Sequence, residues 1–183
     1  MNYEEIKRQR PSVPRMALKI RMPIHVIFDN IRSRYNVGAM FRTSDAGLVS
    51  RVFLAGITPR PPHPHIEKSA LGALDVVPWE YCPDTRQVIK KMKQSGVFVV
   101  ALELAHGASV LGETKLVFPV CFVVGNEVDG ISQEVLDLCD AAISIPMLGR
   151  AHSLNVATAY GIALYEALRQ YRQYPYVHTR NSQ

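Results

Sequence analysis

A chain of 183 residues with 48% hydrophobic content is long and apolar enough for one domain with a substantial core. Its 20% charged content excludes wholesale disorder, and the formal net charge of +5 is modest. Most of that charge sits in residues 1–22, where Lys7, Arg8, Arg10, Arg15, Lys19 and Arg21 face Glu4 and Glu5 for a net of +4. Charge alone leaves two readings of this stretch: a solvated tail, or an arm that contacts phosphates.

Residues 1–23 read as a basic arm. Pro11, Pro14 and Pro23 break regular structure there, although residues 3–10 could form a short helix. Ile24 to Asp29 predicts a short apolar strand, and Asn36 to Ala46 a helix with Val37, Met40 and Phe41 on one face. Arg51 to Gly56 predicts a second strand. The four prolines between Thr58 and His65 predict an irregular loop. Lys68 to Leu74 reads as a turn of helix, and Asp75 to Trp79 as a short strand. Asp84 is an N-cap for a helix running to Ser95, with Val88, Ile89 and Met92 as its buried stripe and Gly96 ending it. Val97 to Glu103 and Val120 to Val124 read as buried strands. Ser132 caps a helix bearing Val135, Leu136 and Leu138, and Ala142 to Ile145 is a last strand. The longest helix runs from Leu154 to Tyr171, with Ala159, Ala163 and Ala167 as a small-residue stripe beside Ile162, Tyr165 and Leu168. Residues 24–172 thus form one domain, followed by a tail over 173–183. Apolar strands alternating with helices predict an α/β fold with a mostly parallel sheet flanked by helices.

Several functional classes drop out. Cys82, Cys121 and Cys139 have no paired spacing, so neither a disulfide framework nor a zinc site is expected. His63, His65 and the lone histidines 25, 106, 152 and 178 lack metal-ligand spacing, and no metal is expected. The N-terminus has no apolar signal-peptide core, and the longest apolar run, Val117 to Gly125, is too short to span a membrane. A reduced, cytoplasmic protein is the expectation. No GxGxxG follows the first strand and no GxxxxGK[ST] occurs, which disfavours a Rossmann-type or P-loop enzyme.

Three segments carry the chemistry. Asn30-Ile-Arg-Ser-Arg-Tyr-Asn-Val-Gly-Ala-Met-Phe-Arg-Thr-Ser-Asp45 sets Arg32, Arg34, Asn36 and Arg42 around a strand-to-helix turn. Val123-Val-Gly-Asn-Glu-Val-Asp-Gly130 is a strand ending in a Gly-Asn-Glu loop. Ile145-Pro-Met-Leu-Gly-Arg-Ala-His-Ser-Leu-Asn-Val156 leads into the longest helix. In this order, they resemble the three signature motifs of the SpoU (TrmH-type) family of RNA ribose methyltransferases, in the knotted SPOUT superfamily. The resemblance covers about residues 24–170. Arg34-Tyr35, Arg150-Ala-His152 and Ala157 depart from the commonest family wording, which bears on substrate choice. Fuller members carry an extra N-terminal RNA-binding domain, where this chain has a short basic arm.

The resemblance implies a deep trefoil knot near the C-terminus, S-adenosylmethionine as cofactor, RNA (tRNA or rRNA) as substrate, and a homodimer whose site is completed near the subunit interface. Ligands of open α/β folds bind beyond the carboxyl ends of strands. That places Ala101, Leu102 and Glu103, then Val124, Gly125, Asn126 and Gly130, then Ile145 and Met147, with Ser153 and Leu154, around the cofactor. Gly125 would let backbone approach the ligand, although Gly125 and Gly130 also read as plain turn glycines. The catalytic set by resemblance is Asn36, Arg42, Glu127, Ser153 and Asn155. Arg42 stays protonated, so a bidentate clamp on phosphate suits it better than a base acting alone. Read without the motif, Arg42 is a surface residue of an amphipathic helix, Asn36 an N-cap and Glu127 a solvated loop acid. One of Ser153 and Asn155 caps the last helix, and the other points into the site. Arg32, Arg34, Arg42 and Arg150 are the RNA-contacting candidates. Two other readings stay open: an RNA-binding module of this fold without turnover, and a knotted methyltransferase acting on a base.

Overall fold

The computed structural model describes residues 20–105 and 107–172. The expected N-terminal helix, almost all of the basic arm, and the tail over 173–183 lie outside the described residues. Seven strands form one parallel sheet: β1 (Met22–Asp29), β2 (Val49–Ala55), β3 (Trp79–Cys82), β4 (Phe98–Leu102), β5 (Ser109–Val110), β6 (Val120–Val124) and β7 (Ala141–Ser144). Their order is β3-β2-β1-β6-β4-β7-β5. The helices are α1 (Arg34–Ala46), α2 (Pro64–Ala70), α3 (Thr85–Gln94), α4 (Gln133–Leu136) and α5 (Val156–Arg172), with a 3-10 turn at Ala73–Asp75.

Both faces of the sheet are covered, which is why its central strands read as unbroken apolar runs. On β1 and β6, Val26, Phe28, Phe122 and Val124 join a core with Val37, Met40 and Phe41 of α1, Ile66 of α2, and Tyr160, Ala163 and Leu164 of α5. Ile27, Cys121 and Val123 point the other way, toward Val88, Ile89 and Met92 of α3 and Val135 of α4. The chain runs outward from β1 through β2 to β3, while β6, β4 and β7 lie on the other side. The neighbours β1 and β6 therefore mark a switch in winding direction, and such a switch opens a crevice beyond the strands' carboxyl ends.

Several predicted elements shift. Pro23 lies inside β1 rather than ahead of it, at a register irregularity between Met22 and His25, where a missing N–H is tolerated. Asp75–Trp79 is not a strand: Asp75 closes the 3-10 turn, Val77 is buried against the core, and β3 starts at Trp79. Helix α2 begins at Pro64, inside the expected loop, because proline suits a first helical position and the His63 side chain caps it. Helix α1 starts two residues earlier than expected, since Ser33, not Asn36, is its N-cap. On α5 the buried tyrosine is Tyr160, bonded to Ser44 of α1 at 2.8 Å, whereas Ile162 and Tyr165 are exposed. The small-residue stripe of Ala163 and Ala167 lets α5 lie close to the sheet and α1.

Candidate active site

The carboxyl ends of β4, β6 and β7 and the approach to α5 enclose a cavity of about 440 Å³, within the usual size of a small-molecule site. Leu102, Glu103, Val124, Gly125, Asn126, Gly130, Ile145, Met147, Ser153 and Leu154 line it, as do Glu127 and Asn155. Ala101 does not. Its side chain is fully buried on the opposite face of the sheet with Val99 and Ile27, because alternate residues of a strand face opposite ways. Leu104, Val128, Ser144 and Ala159 were not anticipated and also line the cavity. Ser144 and Ala159 are flanking residues of segments already singled out; strand and helix periodicity was the available signal.

The loop after β6 is fixed by its own hydrogen bonds. Asn126 and Gly130 exchange backbone bonds of 3.1 and 3.0 Å, and Asn126 Oδ1 accepts from the N–H groups of Val128 and Asp129. Asn126 Nδ2 donates to the carbonyl of Asn30 at 2.9 Å, which ties this loop to the end of β1. Gly125 is glycine for a local reason: a Cβ there would stand 2.6 Å from the Gly130 carbonyl carbon. Gly125 thus packs against its own loop and also lines the cavity. Gly130 has φ +67°, and Glu103 braces it from below by accepting the Ile131 N–H at 3.0 Å.

Glu127 joins the first segment to the second. Its Oε2 accepts from Arg32 N at 2.8 Å, and its Oε1 accepts from Ser33 N at 3.0 Å and from Asn36 Nδ2 at 2.8 Å. Asn36 Oδ1 in turn accepts from Asn155 Nδ2 at 3.1 Å. Asn155 Oδ1 takes the N–H groups of Ala157 at 2.9 Å and Thr158 at 3.4 Å, so Asn155 is the cap of α5 and Ser153 is not. One hydrogen-bonded line, Glu127–Asn36–Asn155, thus spans all three segments on the cavity rim. Partial burial works to raise the Glu127 pKa. The donated bonds from Arg32, Asn36 and Ser33 outweigh it and hold the carboxyl below the ordinary glutamate value. Glu127 is an anion at neutral pH and a weak base. Glu127 is exposed, yet these bonds engage both of its oxygens, and the capping role considered for Asn36 belongs to Ser33.

Arg42 stands apart from this line. It is exposed on α1 in a groove with Lys68, Ser69, Leu71 and Tyr165, and it does not line the cavity. Six residues separate it from Asn36, about 9 Å along a helix axis. Arg32, Arg34 and Arg150 are all exposed, the first two on the turn that Glu127 holds and the third in the segment before α5. Among the described residues no group of His, Cys, Asp and Glu side chains is arranged to hold a metal ion, and no helix is long and apolar enough to cross a membrane.

A parallel α/β domain, with a small-molecule cavity beyond the carboxyl ends of β4, β6 and β7 and three sequence segments bonded together on the rim, defines an α/β protein with a built ligand site. Residues 23–165 match the SpoU rRNA Methylase family, and the chain belongs to that family. The 23S rRNA (guanosine-2'-O-)-methyltransferase RlmB of Vibrio parahaemolyticus is 33% identical over 150 residues, covering 81% of this chain and 60% of that protein. The chain therefore spans 60% of that relative's length, less than two thirds. Among solved structures, the TrmH/SpoU tRNA modifying enzyme of A. aeolicus superposes with a TM-score of 0.79 at 32% identity, covering 93% of this chain and 84% of the other. The SpoU methyltransferase AviRb of Streptomyces viridochromogenes, solved with AdoMet, superposes with a TM-score of 0.76 at 29% identity, covering 88% of this chain and 65% of that one.

Proposed function

We propose that the protein transfers a methyl group from S-adenosylmethionine to a ribose 2′-hydroxyl of rRNA or tRNA. The observation that carries this is the Glu127–Asn36–Asn155 line on the cavity rim. It joins residues of all three segments that resemble the family's motifs, and of the similar proteins one is named as a 23S rRNA guanosine-2'-O-methyltransferase and another, a SpoU methyltransferase, was solved with AdoMet.

The cavity fits such a cofactor in size and in chemistry. Main chain at three strand ends offers N–H and C=O groups to a purine edge, and Ile145, Met147 and Leu154 offer apolar walls. When bound, the cofactor supplies an electrophilic methyl group. The rest of the work falls to the chain. A 2′-hydroxyl must be oriented and must lose its proton as it attacks. Anionic Glu127 fixes the turn that carries Arg32 and Asn36, and Asn155 fixes the start of α5 beside Ser153, so the rim is rigid before RNA arrives. Arg42 serves as a clamp on the neighbouring phosphate, which holds the hydroxyl and offers a route for its proton. A site completed at a subunit interface, as in the homodimer that the resemblance implies, accounts for Arg42 standing outside the cavity of its own chain. In this reading residues 24–172 are the catalytic domain with the family's trefoil knot. Arg32, Arg34, Arg150 and the basic residues ahead of Arg21 contact RNA, no metal takes part, and the protein works in the cytoplasm on tRNA or rRNA.

Mass-spectrometric mapping of ribose methylation in total RNA, from cells with and without this protein, tests the reading. One 2′-O-methylated nucleotide should disappear. An unchanged ribose map together with a lost base methylation would replace it with base chemistry.

A further inference from the structure

Tyr35 and His65 form an exposed ring stack that the fold does not need. Their centroids are 4.9 Å apart with 13° between planes, Tyr35 is 51% exposed, and His65 is exposed too. A pair stacked for core packing would be buried. Here one face of each ring covers the other, His63 lies edge-on to His65 at 5.3 Å, and Tyr35 is left half-exposed. The pair is also held in place. His63 Nδ1 accepts the His65 N–H at 3.2 Å, which sets His65 in the first turn of α2. Helix α1 presses directly on α2: a Cβ at Gly38 would stand 3.0 Å from Ala70 N and closer still to the Ile66 carbonyl. The two rings are thereby brought together from separate helices.

The surroundings are cationic and aromatic. Arg34 precedes Tyr35 and lies close enough to His63 to disfavour its protonation, after the larger effect of desolvation. In the loop that leads into α2, three residues before His63, the Arg60 guanidinium lies 4.1 Å from the centroid of the Tyr81 ring. The acidic group in this turn is the exposed Glu67. Tyr35 is also the direct chain neighbour of Asn36, so the stack adjoins the rim line rather than a remote surface.

We infer that the Tyr35–His65 stack is a platform for an unpaired RNA base flanking the nucleotide that enters the site, with Arg34 and the Arg60–Tyr81 pair following the strand; this rests on the function proposed above. Single-stranded RNA is bound by aromatic faces that take bases and cations that track phosphates, and a base of any identity has a face to stack. Duplex RNA keeps its bases inside and gains nothing from the platform.

The test measures binding of the full-length protein to a labelled oligoadenylate of about ten nucleotides and to an RNA duplex of about the same length. Tyr35→Ala should weaken the single strand roughly 5- to 100-fold. Tyr35→Phe should stay within about twofold, because the ring face does the work. Duplex binding should hold, and so should the slope of affinity against salt, since no cation is lost. Arg34→Ala should instead reduce that slope by about one. Single-strand binding by Tyr35→Ala at parental strength would overturn the inference, as would equal losses on single strand and duplex. Methyl transfer by the parent protein is assayed in parallel. A Tyr35-dependent single-strand affinity in a parent that transfers no methyl group would leave the platform standing and sink the proposed function.

Discussion

At Glu127, donors from two backbone positions and one amide converge on a single carboxylate, and that decides what the residue can do. An anion so engaged organises the turn better than it takes a proton. Glu127→Gln would put an NH2 group against donors, leaving at least one of them unpaired. The stability cost is on the order of 1 kcal/mol, at the low end for bonds to a charged group because solvent screens the site. Methyl transfer should fall at least tenfold. The folded-state pKa of Glu127 is depressed, so its contribution is fully present above the unfolded glutamate value of about 4.3 and is lost as pH falls through the folded value. The Tm difference between parent and Glu127→Gln should therefore be constant near neutrality and shrink in acid below that range. A difference independent of pH would remove the charge argument. Arg42→Ala is expected to abolish methyl transfer and leave cofactor affinity unchanged, because Arg42 lies outside the cavity. Arg42→Lys should rescue poorly, since an ammonium cannot make a bidentate contact. Leu154→Arg, which puts a charge on the cavity wall, should lose cofactor binding by calorimetry; parental activity in Arg42→Ala would end its catalytic assignment.

The element that joins stability to chemistry is the N-terminus of α5. Asn155 caps it with Oδ1 and reaches Asn36 with Nδ2, so one side chain serves both. Asn155→Ala loses both, with about 1 kcal/mol of stability from the cap. Asn155→Asp keeps an acceptor for the cap but has no donor for Asn36, and should hold the parental Tm while losing activity. Parental activity in Asn155→Asp would mean that the Asn36 bond is incidental. This double use was hidden in the sequence, which left Ser153 and Asn155 as equal candidates. Elements whose burial is two-sided were easy to read: Val120–Val124 falls where its apolar run put it, and Asp84 caps α3 as its sequence position indicated. The edge strand β3 was misplaced because Val76 and Val77, apolar like a strand, pack against the core from beside a 3-10 turn. At α1, Ser33 and Asn36 are both residue types that cap helices, and only the fold shows Ser33 accepting the Asn36 N–H.

For the whole molecule, the segments that line the cavity were legible because each falls at the carboxyl end of a strand, and an α/β sheet offers few other places for a ligand. Their connections were not. Glu127 meets Asn36 from 91 positions away and Asn36 meets Asn155 from 119, so only folding reveals which donor finds which acceptor. Nor does a single chain bring Arg42 to the cavity, although the motif groups it with Asn36. The basic arm adds reach at the scale of the RNA. Deleting residues 1–19 spares Arg21, bonded to the Val49 carbonyl, and Met22 of β1; it removes five cations and should weaken RNA binding while flattening its dependence on salt, whereas an unchanged slope would make the arm a solvated tail. The central claim is tested most directly with purified protein, methyl-labelled S-adenosylmethionine and unmodified rRNA and tRNA, followed by digestion to nucleosides. Label should appear in a 2′-O-methylated nucleoside, with none from Arg42→Ala. Label in a methylated base, or no label from either RNA by a protein that binds the cofactor, would contradict it.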